Sequence, residues 1–323
     1  MIKILKSIIT QLRLIAPILD ILFLPIVILS SIWLRIIKFI GLKKFFFTKK
    51  IFNAIGVFPI VKHYYEPQFD FENYHQEYRN LPAINFNDEA QIELLKSFNY
   101  QEELLKKPVN EVPKPAFFYQ NGSFPSGDAE CYYSMIRKLK PNTIIEIGSG
   151  YSTLIAHEAV TKNVEESNPK TKIVCIEPYE MPWLNQLDID LIRKKVEEVD
   201  LVFFNQLSRN DILFIDSSHV IRPQGDVLYE VLHILPQLKS GVLVHFHDIF
   251  SPLNYPEDWL KEEYRLWNEQ YLIEAFLSNN SEFEIVIAMS YLTFNYKEQV
   301  HKAFPVLAQN PKRIPGSLWI RKR

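Results

Sequence analysis

Three short stretches of this chain combine glycine, carboxylate and imidazole groups with apolar runs typical of buried strands. The first is TIIEIGSGYST, in which Glu146 precedes a Gly-Ser-Gly turn and a helix-compatible run follows. Glycine lets the backbone approach a ligand and adopt positive φ, and the free N–H groups of a helix start point at the same place. The turn is therefore predicted to bind a nucleotide-like cofactor. Its candidate contacts are Gly148, Ser149, Gly150 and Ser152.

The other two stretches place acids and histidines directly after apolar runs. DILFIDSSH ends with Asp216, Ser217 and His219, and GVLVHFHD ends with His247 and Asp248. In open parallel sheets, ligands bind beyond the carboxyl ends of the strands. We therefore expect all three stretches to line one crevice.

A glycine-rich turn alone also fits the nicotinamide-binding folds. The dinucleotide fingerprint has a third glycine three residues after the second, where this chain has Thr153. Glu177 ends the next apolar run, and a carboxylate there can accept hydrogen bonds from both hydroxyls of a ribose. These details favour a nucleotide-like ligand other than a nicotinamide.

Apolar runs and helix-compatible segments alternate through the centre of the chain, which indicates a parallel, doubly wound α/β sheet. The predicted strands are 143–148, 172–177, 200–204, 211–216 and 241–246, with two more at 283–288 and 317–322. The predicted helices include 128–139, 152–162, 183–197 and 224–238. A further helix after residue 256 would carry Leu260, Tyr264, Trp267 and Tyr271 on one face, a pattern typical of core packing.

EIGSGYS, IEP, FIDSSHV, GVLVHFHDIF and a closing antiparallel pair occur in the order of a class I S-adenosylmethionine-dependent methyltransferase, which the chain resembles. More narrowly it resembles the macrocin O-methyltransferase branch, and more distantly catechol O-methyltransferase. The resemblance covers roughly Phe117 to Lys322. It implies a Rossmann-like, seven-stranded methyltransferase sheet with S-adenosylmethionine as cofactor. Ser152 stands where many members have a third glycine, a replacement that this branch tolerates.

The resemblance also implies roles for single residues. By the catechol enzyme's pattern, Asp216, His247 and Asp248 would hold Mg²⁺ or Mn²⁺, although a histidine in the set favours a softer ion and leaves the metal open. His219 stands at the general base position, and Asp216 would orient it or bind the ion. We expect His245 to point away from His247, into the core. The implied donor contacts are Glu146, Gly148, Ser149, Gly150, Ser152, Glu177, Asp216 and Ser217.

The amino-terminal part of the chain differs in composition from the rest. Residues 1–62 hold ten Lys and Arg and one acid, a formal charge of +9, and the remainder carries −11. The 21 residues between Arg13 and Arg35 have one charge and are long enough to cross a bilayer as a helix. Pro17, Asp20 and Pro25 interrupt them. A membrane span, a re-entrant or surface-lying helical hairpin, and an amphipathic helical pair packed on the protein's own body all stay open.

These features predict a three-part chain. Residues 1–62 form a basic, hydrophobic, membrane-associating helical segment, residues 63–116 a connector and helical cover, and residues 117–323 the methyltransferase domain. Lysines follow the apolar run directly, so the positive-inside rule places the catalytic domain in the cytoplasm.

The predicted activity is O-methylation of a hydroxylated glycan, glycolipid or related natural product at the membrane. Nucleic acid is excluded as a partner because the basic residues are embedded in aliphatic sequence and the body is acidic. Two alternatives remain: a catalytically silent scaffold that binds the cofactor or a partner at the membrane, and a relative of the cephalosporin hydroxylases. Two cysteines exclude a disulfide framework.

Overall fold

The computed structural model describes residues 2–63, 65–67, 73–113 and 115–323, with only the backbone for residues 2–14. These residues fall into two compact units, Met1–Tyr74 and His75–Arg323. The predicted boundaries at 62/63 and 116/117 remain predictions.

The first unit consists largely of two helices. Helix α1 spans Ile2–Ile40 and continues through Pro17 and Pro25, and α2 spans Phe46–Ile55 after a 3₁₀ turn at Leu42–Lys44. The segment Ile15–Ile40 reaches a mean hydropathy of 2.4 and is long and apolar enough to cross a membrane. Because α1 is one continuous helix, the hairpin form expected as an alternative is not adopted.

The second unit is built on a seven-stranded sheet. Its strands are β1 Thr143–Ile147, β2 Lys172–Ile176, β3 Asp190–Ile192, β4 Ile212–Ile215, β5 Leu243–Phe246, β6 Phe283–Ala288 and β7 Leu318–Lys322. The order is β3-β2-β1-β4-β5-β7-β6. The first five strands are parallel, and β7 runs antiparallel to both of its neighbours. The predicted doubly wound, seven-stranded methyltransferase sheet is confirmed.

Helices cover both faces of this sheet. They are α3 Asp88–Lys96, α4 Gln101–Leu105, α5 Asp128–Leu139, α6 Tyr151–Glu165, α7 Asp226–Tyr229, α8 Leu235–Gln237, α9 Glu257–Lys261, α10 Glu269–Leu277, α11 Met289–Asn295, α12 Lys297–Ala303 and α13 Pro305–Ala308. A π-helical turn, Glu230–Ile234, joins α7 to α8. Short 3₁₀ helices occupy Leu184–Gln186, Val196–Glu198 and Leu201–Gln206.

The strands form because their residues are apolar on both faces, as a covered parallel sheet requires. Successive side chains point to opposite faces. In β1, Ile144 joins the core on the side of α5 and α6, whereas Ile145 and Ile147 join the core on the other side. Glu146 shares the face of Ile144 and is fully buried.

Two predicted elements between β2 and β4 are wrong. Residues 183–197 are not a helix, because Asp190–Ile192 pairs with β2 as a short edge strand. Residues 200–204 are not a strand, because the Asp200 side chain accepts a hydrogen bond from the Val202 N–H and starts a 3₁₀ helix. Apolar periodicity does not separate such short elements.

The helix predicted after residue 256 is also interrupted. It ends at Lys261, where the N–H groups of Glu262 and Glu263 both bond the Asp258 carbonyl, and α10 begins only at Glu269. The predicted stripe of core residues is therefore split, and Tyr264 in the intervening loop is 64% exposed.

The turn after β1 is held by a buried chain of hydrogen bonds. The Thr153 hydroxyl donates to Glu146 Oε2 at 2.5 Å and accepts from the Gly150 N–H at 3.0 Å, and the Tyr132 hydroxyl donates to Glu146 Oε1 at 2.9 Å. Thr153, which stands where the dinucleotide fingerprint has its third glycine, therefore links the strand to the turn. Gly148 has φ +83°, whereas Gly150 is extended at φ 171° and not at positive φ as expected.

Replacing Glu146 with glutamine should remove a pH dependence of folding stability. Burial raises the pKa of Glu146 from 4.5 to about 7, although Thr153 and Tyr132 hydrogen bonds oppose the shift. A raised carboxyl pKa favours the neutral acid in the folded state. The contribution of Glu146 to folding stability is therefore complete below about pH 4.5 and is lost as pH rises through 7. Over that pH range, we expect the free energy of unfolding of wild type to fall by up to about 3 kcal/mol relative to that of Glu146→Gln.

Urea unfolding at several pH values measures this difference. The exposed Glu165→Gln on α6 is the control and should track wild type. A stability gap between wild type and Glu146→Gln that stays constant from pH 4.5 to 8 would contradict the assignment.

Candidate active site

The carboxyl ends of β1, β2, β4 and β5 bring the predicted site residues to one edge of the sheet. Two adjoining cavities open there. The donor cavity, as we call it, has a volume of 330 Å³ and is lined by Gly148, Glu177, Asp216 and Ser217 among others. The acceptor cavity has a volume of 680 Å³ and is lined by Asp216, His219, His247 and Asp248 among others. Asp216 lines both cavities, so the expected crevice has two compartments.

The donor cavity has a carboxylate fixed at its rim. Glu177 Oε2 accepts a hydrogen bond from the Ser149 N–H at 3.2 Å, and Oε1 accepts from the Tyr179 N–H at 2.6 Å. Two backbone donors thus orient a half-buried carboxylate that keeps lone pairs for further hydrogen bonds. The Tyr179 ring is 82% exposed at the same rim.

The predicted donor contacts do not all reach the cavity. Gly148, Glu177, Asp216 and Ser217 line it. Glu146 and Ser152 are buried. Glu146 supports the turn through Thr153, and Ser149 and Gly150 belong to the turn itself. The Ser217 hydroxyl also lies 3.1 Å from Glu230 Oε2, to which it donates.

His219, which lines the acceptor cavity, lies near three carboxylates. Its Nδ1 lies 2.8 Å from Glu269 Oε2, and its Nε2 lies 3.2 Å from Asp216 Oδ1 and 3.9 Å from Asp248 Oδ2. The backbone of His219 is left-handed, with φ +59°, and its carbonyl accepts from the N–H groups of Asn268 and Glu269. The imidazole is therefore held in one orientation.

The carboxylates determine the charge on this imidazole. Burial disfavours the cationic form of His219, but Asp216 and Glu269 outweigh it and raise the pKa of His219 well above its usual value. Burial raises the pKa of Glu269 and of Asp248, whereas the charges of His247 and His219 overcome burial and lower the pKa of Asp216. The neighbouring carboxylates thus favour the cationic form of the His219 imidazole.

One group of side chains in the described part of the chain has the spacing of a metal site. Ligand atoms of Asp216, His219 and Asp248 all lie within 4.8 Å of one another. His219 takes the place that the predicted set gave to His247, whose Nε2 lies 3.4 Å from Asp248 Oδ1 and whose ring packs against Phe124. Two carboxylates and one imidazole fit a divalent ion. Since Glu269 occupies Nδ1, Nε2 of His219 can bind an ion or take a proton, but not both.

His245 is a core histidine, as expected, but it does not point away from His247. Their rings lie 6.0 Å apart, and both pack against Phe124. Residues two apart along a strand share a face, so the expected opposition was wrong. His245 is fully buried, stacks on Phe214 and contacts the Ser317 hydroxyl at 3.0 Å.

Sequence reasoning missed part of this site. Glu269 is fifty positions after His219 and carries no local motif, yet it makes the shortest contact with that histidine. Trp267, interpreted as core, instead lines the acceptor cavity and packs on the His219 ring at 4.2 Å. Trp259 and Arg265 line the same wall. Only the density of aromatic residues after Asp248 signals this wall in the sequence.

Residues 145–249 match the model of a family described as "Methyltransferase domain". An uncharacterized protein of Archaeoglobus fulgidus is 36% identical over 139 residues, which are 40% of this chain and 61% of that protein. The chain therefore spans about three fifths of this relative's length.

Three solved structures are similar to this chain at low identity and low TM-score. The O-methyltransferase TomG of Streptomyces achromogenes, in complex with S-adenosylmethionine, is 13% identical, with 71% of this chain and 89% of TomG covered and a TM-score of 0.36. A Bacillus cereus O-methyltransferase with S-adenosylhomocysteine is 10% identical, with 73% and 91% covered and a TM-score of 0.36. CalS11, a TDP-rhamnose 3′-O-methyltransferase, is 13% identical, with 75% and 99% covered and a TM-score of 0.39. Similarity at this level gives no information about the acceptor.

The matched segment runs from β1 to just beyond β5 and contains every predicted site residue. The strand order of the sheet agrees with the same class of fold. The narrower resemblance to the macrocin branch stays a prediction. By this match, residues 145–249 are a methyltransferase domain.

Proposed function

We propose that this chain transfers the methyl group of S-adenosylmethionine to a hydroxyl group of a glycan, glycolipid or related small molecule at a membrane surface. The observation that carries the proposal is the position of Asp216, which lines both the donor and the acceptor cavity. A donor in the first cavity and a hydroxyl in the second would meet there, as in-line transfer requires.

The donor cavity suits a nucleoside. Its glycine turn allows close approach of the ligand, and Glu177 presents a carboxylate already oriented by two N–H groups. Hydrogen bonds from two ribose hydroxyls would use its remaining lone pairs. S-adenosylmethionine supplies the methyl group on a sulfonium, and its positive charge is complementary to Asp216.

The acceptor hydroxyl must lose a proton as it attacks the methyl carbon. His219 lines the acceptor cavity, its Nε2 lies beside Asp216, and Glu269 holds the opposite nitrogen. A nearby positive charge lowers a histidine pKa. Binding of the cationic donor next to Asp216 therefore favours the neutral imidazole that a general base requires.

A divalent ion offers a second way to activate the hydroxyl. Asp216 and Asp248, with His219, would hold Mg²⁺ or Mn²⁺, and the ion would make a bound hydroxyl more acidic. In that case His219 would be a ligand and not the base.

The amino-terminal unit is proposed to bring the domain to a membrane. Its apolar helix is flanked by a cluster of basic residues, and the formal charge of residues 1–62 is +9. Anionic lipid attracts such a segment. By the positive-inside rule, the methyltransferase domain would lie in the cytoplasm.

Donor binding should depend on Glu177. Calorimetry should detect binding of S-adenosylmethionine but not of NADH. Glu177→Ala should weaken donor binding by about 1 to 3 kcal/mol, because charge-assisted hydrogen bonds to the ribose are lost. The exposed Glu165→Ala is the matched control. An unchanged dissociation constant in Glu177→Ala would refute the ribose assignment, and preferential NADH binding would refute the proposed donor.

Turnover should depend on His219. Cell-extract fractions incubated with radiolabelled methyl donor supply the acceptor, and His219→Ala should lower turnover about 10² to 10⁴-fold with donor affinity nearly unchanged. The exposed His233→Ala is the control. Normal turnover in His219→Ala would contradict the proposal that His219 is the general base or a metal ligand. EDTA separates the two roles: lost activity that Mg²⁺ or Mn²⁺ restores assigns His219 as a ligand, and full activity in EDTA assigns it as the base.

Removing residues 1–62 should release the protein from membranes. The truncated chain should no longer sediment with phosphatidylglycerol-containing vesicles, because both the apolar helix and the basic cluster are gone. It should still bind S-adenosylmethionine, since the donor cavity lies wholly within His75–Arg323. Continued sedimentation of the truncated chain would show that the anchor lies elsewhere. A full-length variant with Lys43, Lys44, Lys49 and Lys50 changed to glutamine measures the electrostatic part.

A further inference from the structure

One wall of the acceptor cavity carries a guanidinium that lies against two indole rings. The Cζ of Arg265 lies 4.4 Å from the centre of the Trp259 ring and 4.7 Å from that of Trp267. The rings themselves are 5.2 Å apart at an angle of 78°. Cation–π contacts with two rings immobilise a side chain that is otherwise rich in rotamers.

The hydrogen bonds of Arg265 leave the two terminal nitrogens of its guanidinium available for a ligand. Its Nε donates to Glu263 Oε2 at 2.6 Å, and its backbone N–H donates to the Trp259 carbonyl at 2.8 Å. Within the described residues, neither terminal nitrogen of this guanidinium has a hydrogen-bond partner. Two parallel N–H donors on a fixed plane match the oxygens of a phosphate or carboxylate.

The other cationic side chains of the cavity are less suited than Arg265 to bind an anion. Arg313 is already used, since it donates to the Ser126 carbonyl and to Asp128 at 2.7 and 2.8 Å. Lys312 is exposed on the same lining and makes no ion pair with any described residue. Glu263 lies on the Nε side of Arg265 and leaves the terminal nitrogens to a ligand.

The position of this guanidinium relates it to the reacting atoms. Trp267 contacts both Arg265 and the His219 ring, and the centres of the indole and imidazole rings are 4.2 Å apart. The Trp267 ring therefore connects Arg265 to His219. An acceptor whose hydroxyl lies at His219 would present a neighbouring substituent to Arg265.

We propose that the methyl acceptor carries a phosphate or carboxylate group, and that Arg265, held by Trp259 and Trp267, binds that group, with Lys312 as a second cation. This inference rests on the proposed function, because it concerns the acceptor of the same reaction. It assigns Arg265 to specificity and not to the transfer step.

Calorimetry on the full-length chain, saturated with S-adenosylhomocysteine, tests the inference with inorganic phosphate and with acetate as probes. Wild type should bind at least one of them. Arg265→Gln should weaken that binding at least about 10-fold, and Arg265→Lys, which keeps the charge but not the fork, should lie between the two. Arg193→Gln is the matched control, because Arg193 pairs with Glu180 outside both cavities.

Two further measurements separate binding from structure and identify the source of the anion. Thermal unfolding and S-adenosylhomocysteine affinity should be the same in wild type and Arg265→Gln. Glycerol 3-phosphate and dihexanoyl phosphatidic acid carry the same group without and with acyl chains. Tighter Arg265-dependent binding of the second assigns the anion to a lipid, and equal binding assigns it to a soluble molecule.

The inference is overturned if neither phosphate nor acetate binds to wild type, or if Arg265→Gln binds them as well as wild type does. The proposed function fails by a different result, the absence of S-adenosylhomocysteine and S-adenosylmethionine binding to wild type. The two failures are therefore distinguishable.

Discussion

The whole site depends on the close contact between the turn after β1 and the end of β4. A Cβ atom at Gly148 would lie 2.2 Å from the backbone oxygen of Asp216, so no other residue fits there without moving one of the two strands' ends. The Asp216 N–H also donates to the Ile147 carbonyl at 2.9 Å. Because Asp216 in turn contacts His219, the contact between Gly148 and Asp216 sets the distance between the donor turn and His219 in the acceptor cavity.

The site holds several ionisable side chains at positions where water has little access to them. Asp216, His219, Asp248 and Glu269 are wholly or partly removed from water, and removal of one partner would leave the others uncompensated. His219 and Asp248 also have left-handed backbones, at φ +59° and +57°. Such conformations cost about 1 kcal/mol or more each and persist where the surroundings hold them. Here the bonds from Asn268 and Glu269 to the His219 carbonyl hold that loop.

The sequence allowed the fold to be predicted wherever a signal was local. Long apolar runs located β1, β2, β4 and β5, and residues directly after them, such as Glu177 and Asp216, proved to line a cavity. The edge strand β3 was missed because three residues carry too little periodicity. Glu269, Trp267 and Arg265 were missed because they reach the site from a loop and a helix start far along the chain. Their contacts with His219 and with one another depend on tertiary packing alone.

The shared lining at Asp216 also means that the contents of the two cavities are thermodynamically linked. A group that borders both sites transmits the charge of one ligand to the other, and such coupling is reciprocal. The sulfonium of the donor is positive, but the thioether left after methyl transfer is neutral. With His219 as the base, the proton of the acceptor hydroxyl would pass to its imidazole, so methyl transfer would move the positive charge from the donor to His219 beside Asp216. The charge would leave the boundary between the cavities only when that proton is released to solvent, and loss of this proton would then weaken the hold on an anionic methylated product.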